Sequence, residues 1–220
     1  MANRGIRELL RLAVVDYRFY LGTIADYSGN GNDGVWSGTD PVFRREVGGA
    51  TGLDFTAAGQ SISTPAIAIP QEFTVASTFM ARTIGENNEG RIFEQSTSTI
   101  RAHLAAGPVM TFDCGAAISP AITIDQPRHV VFTRDNADDG QSFIDSVPGA
   151  TGAVGATVGT DVIVIGNRAA LDRTFDGLIF AFLLLATHID PDEAARLYEH
   201  SRIQLWPGAP KRSGIMSPVE

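Results

Sequence analysis

The chain has 220 residues, 44% of them hydrophobic, with 23 glycines, 11 prolines and a formal net charge of −8 at pH 7. That size and balance fit one large, turn-rich domain with its own core. The acidic excess argues against a nucleic-acid partner, because a grip on a duplex needs lysine and arginine to release counterions. The single cysteine, Cys114, excludes an internal disulfide framework. The longest apolar run, Leu178 to Ala186, is too short for a membrane-crossing helix of about 20 residues.

Residues 1–14 read as an N-terminal arm. Ile6, Leu9, Leu10 and Ala13 recur at helical spacing there, beside Arg4, Arg7 and Arg11. Glu8 and Arg11 interrupt the apolar start, and no small-residue cleavage site follows, so no secretion signal is expected. Val15 to Leu21 is β-branched and aromatic and reads as a first strand. The loop from Asp26 to Gly34 follows, its Asn, Asp and Gly residues suited to tight turns.

Short strands then alternate with turn signals: Gly52–Phe55, Ser61–Ala66, Phe73–Met80, Arg91–Gln95, Ile100–Leu104 and Val109–Cys114. Arg128–Arg134 and Ser142–Ile144 flank an apparent hairpin turn at Asp135–Gly140, and Asp161–Gly166 and Gly177–Thr187 complete the strands. One helix is signalled: Asp190 as cap, Pro191 in the first helical position, Glu193 closing a capping box, and Ala194, Ala195, Leu197 and Tyr198 on one face. Residues 203–220, rich in Pro and Gly and carrying Lys211 and Arg212, read as an extended tail.

The strand from Leu178 to Ala186 is apolar at both parities, so both its faces need cover. An arm or helix of the same chain could supply it, or a neighbouring subunit in a homo-oligomer. The interface residues on the second reading are Arg4, Arg7, Leu10, Phe180, Phe182, Leu184 and Trp206.

Catalytic chemistry finds no foothold. No Glu-x-Asp-x-x-Glu run sets carboxylates on one strand face, His103, His129, His188 and His200 are scattered, and no nucleophile elbow frames a serine. The acidic Asp190–Glu193 segment is explained by a helix N-terminus. No cofactor is expected, with calcium the one candidate, on Asp26, Asn30 and Asp33; the competing account is a turn held by its own side chains. A glycan site would use Trp36, Tyr27 and Asn32, unless Trp36 and Tyr27 simply cover the sandwich edge.

In order and spacing these segments resemble the laminin-G-like jelly-roll family of the concanavalin A-like superfamily. The match is carried by Asp26-x-Ser-Gly-Asn-Gly-Asn-x-Gly34, Gly52-Leu-Asp-Phe55, Phe73-Thr-Val-Ala-Ser, His129-Val-Val-Phe-Thr, and the ending Ile165-Gly166 … Phe175-Asp-Gly-Leu-Ile179 … Ile189-Asp-Pro-Asp-Glu193 … Leu197-Tyr198. It covers roughly residues 15–202. Pro127 and Arg128 stand where the family has Trp, Phe143-Ile-Asp-Ser146 replaces its Tyr-Val-Asn-Gly hairpin, and Phe180 and Ala181 replace an acidic pair. The resemblance implies an all-β, antiparallel two-sheet sandwich with one short C-terminal helix and terminal arms. It further implies similarity to stand-alone jelly-roll proteins of bacteriophage virions. The expected function is a non-enzymatic virion structural or decoration protein, docking through its arms onto other virion proteins or sister subunits; the alternative is a lectin-like module for a cell-surface glycan.

Overall fold

The computed structural model describes residues 4–206, apart from 41, 47, 48, 57, 98, 156 and 157. In chain order its strands are β1 Ala13–Tyr17, β2 Val35–Ser37, β3 Val42–Arg45, β4 Thr51–Phe55, β5 Ser61–Ser63 and β6 Ile67–Ala68. Then come β7 Phe73–Ala81, β8 Arg91–Gln95, β9 Arg101–Ala105, β10 Val109–Asp113, β11 Ala117–Ile118 and β12 Arg128–Arg134. β13 Asp139–Ile144, β14 Val147–Ala153, β15 Thr160–Asp161, β16 Ile163–Ile165 and β17 Gly177–Leu185 follow. The helices are α1 Ile6–Leu10 and α2 Pro191–Leu205.

The strands form the expected antiparallel sandwich. One eight-stranded sheet runs β14-β13-β12-β7-β17-β4-β3, with β1 added on β17. The facing seven-stranded sheet runs β11-β10-β9-β8-β16-β5-β2, and β6 and β15 form a small separate pair. Register explains the core. Across the seven-stranded sheet, Trp36, Ile62, Ile165, Phe93, Ala102, Phe112 and Ile118 lie opposite one another strand by strand. That row meets Val75, Phe79, Val130, Phe132, Ile179, Phe182 and Leu184 of the other sheet in one buried cluster. Phe112 stacks on Phe132 at 5.3 Å and Phe93 meets Phe182 edge-on at 5.4 Å. Gly166, at φ +78°, turns the chain out of β16 directly over the Phe55 ring, where a Cβ would sit 2.1 Å from ring carbon.

The expected strand Val15–Leu21 divides: β1 ends at Tyr17, and Phe19–Leu21 is a 3-10 turn closed by Gly22 at φ +73°. Residues 4–14 lie on the sandwich rather than standing off as an arm. Leu9 is buried, α1 abuts α2, and Ala13 and Val14 already belong to β1. Arg4 is the latch: Nε donates to Glu193 Oε1 at 2.7 Å, one terminal nitrogen to Thr187 Oγ1 at 2.8 Å and the other to the His188 carbonyl at 2.7 Å. α2 starts with the predicted capping box of Asp190 and Glu193, but it continues through 203–205 instead of yielding to a tail. The remainder of that tail, from Pro207 and including Lys211 and Arg212, lies outside the described residues.

β17 is apolar at both parities because both of its faces are covered from within the chain. Ile179, Phe182 and Leu184 face the inter-sheet core. On the outer face Leu185 packs under Leu9, Ala194 and Leu197, and Leu178 and Phe180 under Ala50 and Leu205. The Trp206 ring meets Phe180 edge-on at 5.7 Å. Of the residues assigned to a subunit interface, Phe180, Phe182 and Leu184 are therefore buried in the fold, Arg4 is engaged by Glu193, and Leu10 lines a cavity under α2. Arg7 is exposed.

Candidate functional site

The loop Asp26–Gly34 is held by its own side chains. Asp26 Oδ1 accepts the backbone N–H groups of Asp16 and Ser28, both at 2.9 Å. Oδ2 accepts the Ser28 hydroxyl at 2.6 Å and the Asn32 backbone N–H at 3.0 Å. These four donors hold the carboxyl below its usual range against the opposing effect of burial. Asp33 Oδ1 accepts the Asp26 N–H at 2.8 Å, and the Asn30 and Asn32 amides donate to the Ala13 and Val14 carbonyls at 2.9 Å. The calcium reading of Asp26, Asn30 and Asp33 thus loses its anchor, because N–H and O–H donors already occupy the lone pairs a cation would need. Among the described residues no group of three or more His, Cys, Asp and Glu is placed to hold a metal.

The aromatic candidates are not brought into one platform. Trp36 is half-buried; its ring packs on Phe55 at 5.6 Å and its Nε1–H donates to the Thr39 carbonyl. Tyr27 is exposed, and its face carries the Arg18 guanidinium at 5.1 Å. Asn32 is occupied on both sides, its side chain on Val14 and its carbonyl accepting the Tyr17 hydroxyl at 2.6 Å. Trp36 and Asn32 serve the sandwich edge.

A different surface gathers polar chemistry: the outer face of the seven-stranded sheet. Pairing places Glu94, Arg101 and Asp113 in one row across β8, β9 and β10, and Arg91, His103 and Thr111 in the next. A register shift between Arg91 and Phe93 in β8 brings Arg91 and Glu94 together on this face, where Nε donates to Oε2 at 2.5 Å. Arg101 pairs with Asp113, and Thr111 Oγ1 lies 3.2 Å from the hydroxyl of Ser119, just past β11. The segment 168–173 flanks the rows, with its Arg173 carbonyl accepting the Arg91 N–H at 3.0 Å and Arg173 Nε reaching Glu89 at 3.3 Å. Burial pushes His103 down to about 4, helped by Arg91 and Arg101, so the imidazole is neutral at pH 7. Its Nδ1 and the Nε of Arg101 are buried without a protein partner.

Sequence reasoning missed this face. The signal was the alternation of Arg101-x-His103 in one strand and Thr111-x-Asp113 in the next, which marks a polar face on paired strands. Attention to exposed aromatics passed over it.

No protein-family model matches the chain, and no curated protein does. Solved structures do. Domain 4 of AbnA, an extracellular arabinanase of family GH43 from Geobacillus stearothermophilus, in complex with arabinotriose, is 15% identical with TM-score 0.68, over 84% of this chain and 98% of that one. The botulinum neurotoxin type G receptor-binding domain is 14% identical with TM-score 0.66, over 86% and 51% of the two chains. The serotype D ligand-binding domain in complex with N-acetylneuraminic acid is 12% identical with TM-score 0.71, over 88% and 52%. The chain thus spans about half the length of the toxin chains it matches. These likenesses show the fold, a jelly-roll β-sandwich.

Proposed function

We propose that the chain is a non-enzymatic, glycan-binding sandwich module, with the outer face of the seven-stranded sheet as its binding surface. The observation that carries this reading is the open polar layer of Arg101, Thr111, Asp113 and Ser119, with His103 buried beneath it, set against an opposite face that the chain covers itself. Hydroxyl groups both donate and accept, and this layer presents guanidinium, hydroxyl and carboxylate on neighbouring strands about 4.8 Å apart. Arg91 is matched to Glu94 and Arg101 to Asp113, which suits a neutral oligosaccharide better than an anionic one. The non-enzymatic part rests on the same layer. Glu94 and Asp113 are separated in their row by Arg101 and each is held by a guanidinium, whereas glycoside hydrolysis needs one protonated carboxyl opposite a second. The likeness to an arabinanase domain seen with arabinotriose supports a sugar ligand.

Calorimetric titration with arabino-oligosaccharides and with sialylated oligosaccharides tests the proposal. The neutral sugars are expected to bind, and Arg101→Ala to weaken them about tenfold or more. Absence of binding, or binding indifferent to Arg101→Ala, overturns it. The finer form of the proposal is display of this module on a bacteriophage particle assembled in the host cytoplasm. Docking would then fall to exposed residues such as Arg7 and to the segments beyond 4–206, because Arg4 and the α2 face are engaged by the sandwich. Incorporation into particles with and without residues 207–220 tests that form.

A further inference from the structure

We propose that the cleft between α2 and the eight-stranded sheet is a second binding site, for a small organic carboxylate with a flat apolar body, separate from the glycan face. The cleft, of about 210 Å³, is lined among others by Arg128, His129, Asp145, Tyr198, Arg202 and Trp206. His129 is only 5% exposed, with Nδ1 2.9 Å from Thr78 Oγ1 and Nε2 without a partner. The Thr78 hydroxyl makes no other hydrogen bond among the described residues. If it donates to Nδ1, one buried group is left over; if it accepts instead, its own hydrogen is stranded as well. The first arrangement is therefore favoured, and it makes Nε2–H a donor.

Arg128 adds a second donor. Its terminal nitrogens reach Asp145 Oδ2 at 2.6 Å and Gln126 Oε1 at 3.1 Å, while Nε is buried and unpartnered. Asp145 accepts from Arg128 and, at 3.0 Å, from the His129 backbone N–H, and it makes no hydrogen bond to His129 Nε2 or Arg128 Nε. What these two nitrogens lack is an acceptor. A carboxylate supplies two acceptor oxygens and the charge to strengthen a bond from a guanidinium. Its apolar part meets the rings of Tyr198 and Trp206, the first 5.9 Å from the His129 ring. A single water would answer Nε2 but would leave most of the cleft unfilled.

The test titrates the full-length protein with sodium benzoate, reading the His129 ring resonances by NMR and the melting temperature. A saturable shift at His129 and a raised melting temperature are expected. Benzyl alcohol, the same ring without the carboxylate, should bind about tenfold more weakly. Ser201→Trp, placed on the α2 wall, should abolish the shift while leaving both donors in place, and Arg101→Ala on the other face should not alter it. No saturable shift, equal binding of benzyl alcohol, or a shift that survives Ser201→Trp overturns the proposal.

Discussion

The two sheets present outer faces of opposite character. Outside the eight-stranded sheet, Ala76, Val131, Phe143 and Leu185 lie under Leu9, Ala194 and Leu197, and Phe180 lies under Leu205 and Trp206. That face is spent on the fold. Outside the seven-stranded sheet the side chains are polar: Arg91 pairs with Glu94 and Arg101 with Asp113, and a neutral His103 lies among them. Apolar area removed from water stabilises at about 25 cal/mol per Å², so the covered face contributes stability. The Arg91–Glu94 pair is buried, but the partly exposed Arg101–Asp113 pair contributes about 0–1 kcal/mol, so the outer part of the polar face adds little stability and is free for recognition.

This contrast can be broken at graded cost. Phe180→Ala should destabilise the protein by about 3–5 kcal/mol in urea denaturation, since the ring is buried beneath Leu205 and Trp206. A loss below about 1 kcal/mol would mean that the cover is loose.

Each face also holds one histidine that burial pushes down to about 4: His129 under α2, opposed by Asp145 and reinforced by His200, and His103 among Arg91, Arg101, Glu89 and Asp113. The unfolded chain takes up these protons near pH 6.5 and the folded chain only near 4. Stability is therefore full above about 6.5 and falls as pH drops towards 4, by up to about 3 kcal/mol per histidine. Urea midpoints at pH 7 and 4.5 read the loss, and His103→Gln should remove its share of the slope.

Arg4→Ala should cost about 2–3 kcal/mol, because it strips the buried Glu193 carboxylate of its guanidinium. Arg4→Lys should restore only part of that, lacking the fork that reaches Glu193, Thr187 and His188 together. Arg101→Ala marks the other extreme, with a change within about 1 kcal/mol and its effect confined to sugar binding.

Much of the fold was legible. Arg91–Gln95 and Arg128–Arg134 are strands with the bounds their sequence suggests, and the capping box at Asp190 and Glu193 starts α2 where predicted. Strands β2, β3 and β14 were not legible. Val147-Pro-Gly-Ala-Thr-Gly-Ala153 reads locally as turn, and it becomes a strand because β13 supplies its ladder and an edge position tolerates Pro148. Of the candidate site residues, the Asp26 loop was found with two accounts of its role, a calcium site or a turn held by its own side chains, and the hydrogen bonds follow the second. Whether a carboxylate holds a cation or its own backbone depends on which N–H groups fold back towards it.

The sequence by itself determined a turn-rich antiparallel sandwich, a capped C-terminal helix and a strand with two apolar faces, because period, turn chemistry and capping act over a few residues. Only the tertiary structure decided what covers β17, that Arg4 latches the N-terminal segment to α2, and that Arg91, Glu94, Arg101, His103 and Asp113 share one face. Those facts depend on contacts between residues far apart in the chain. No local pattern encodes which strand lies beside which, or which helix face meets which sheet.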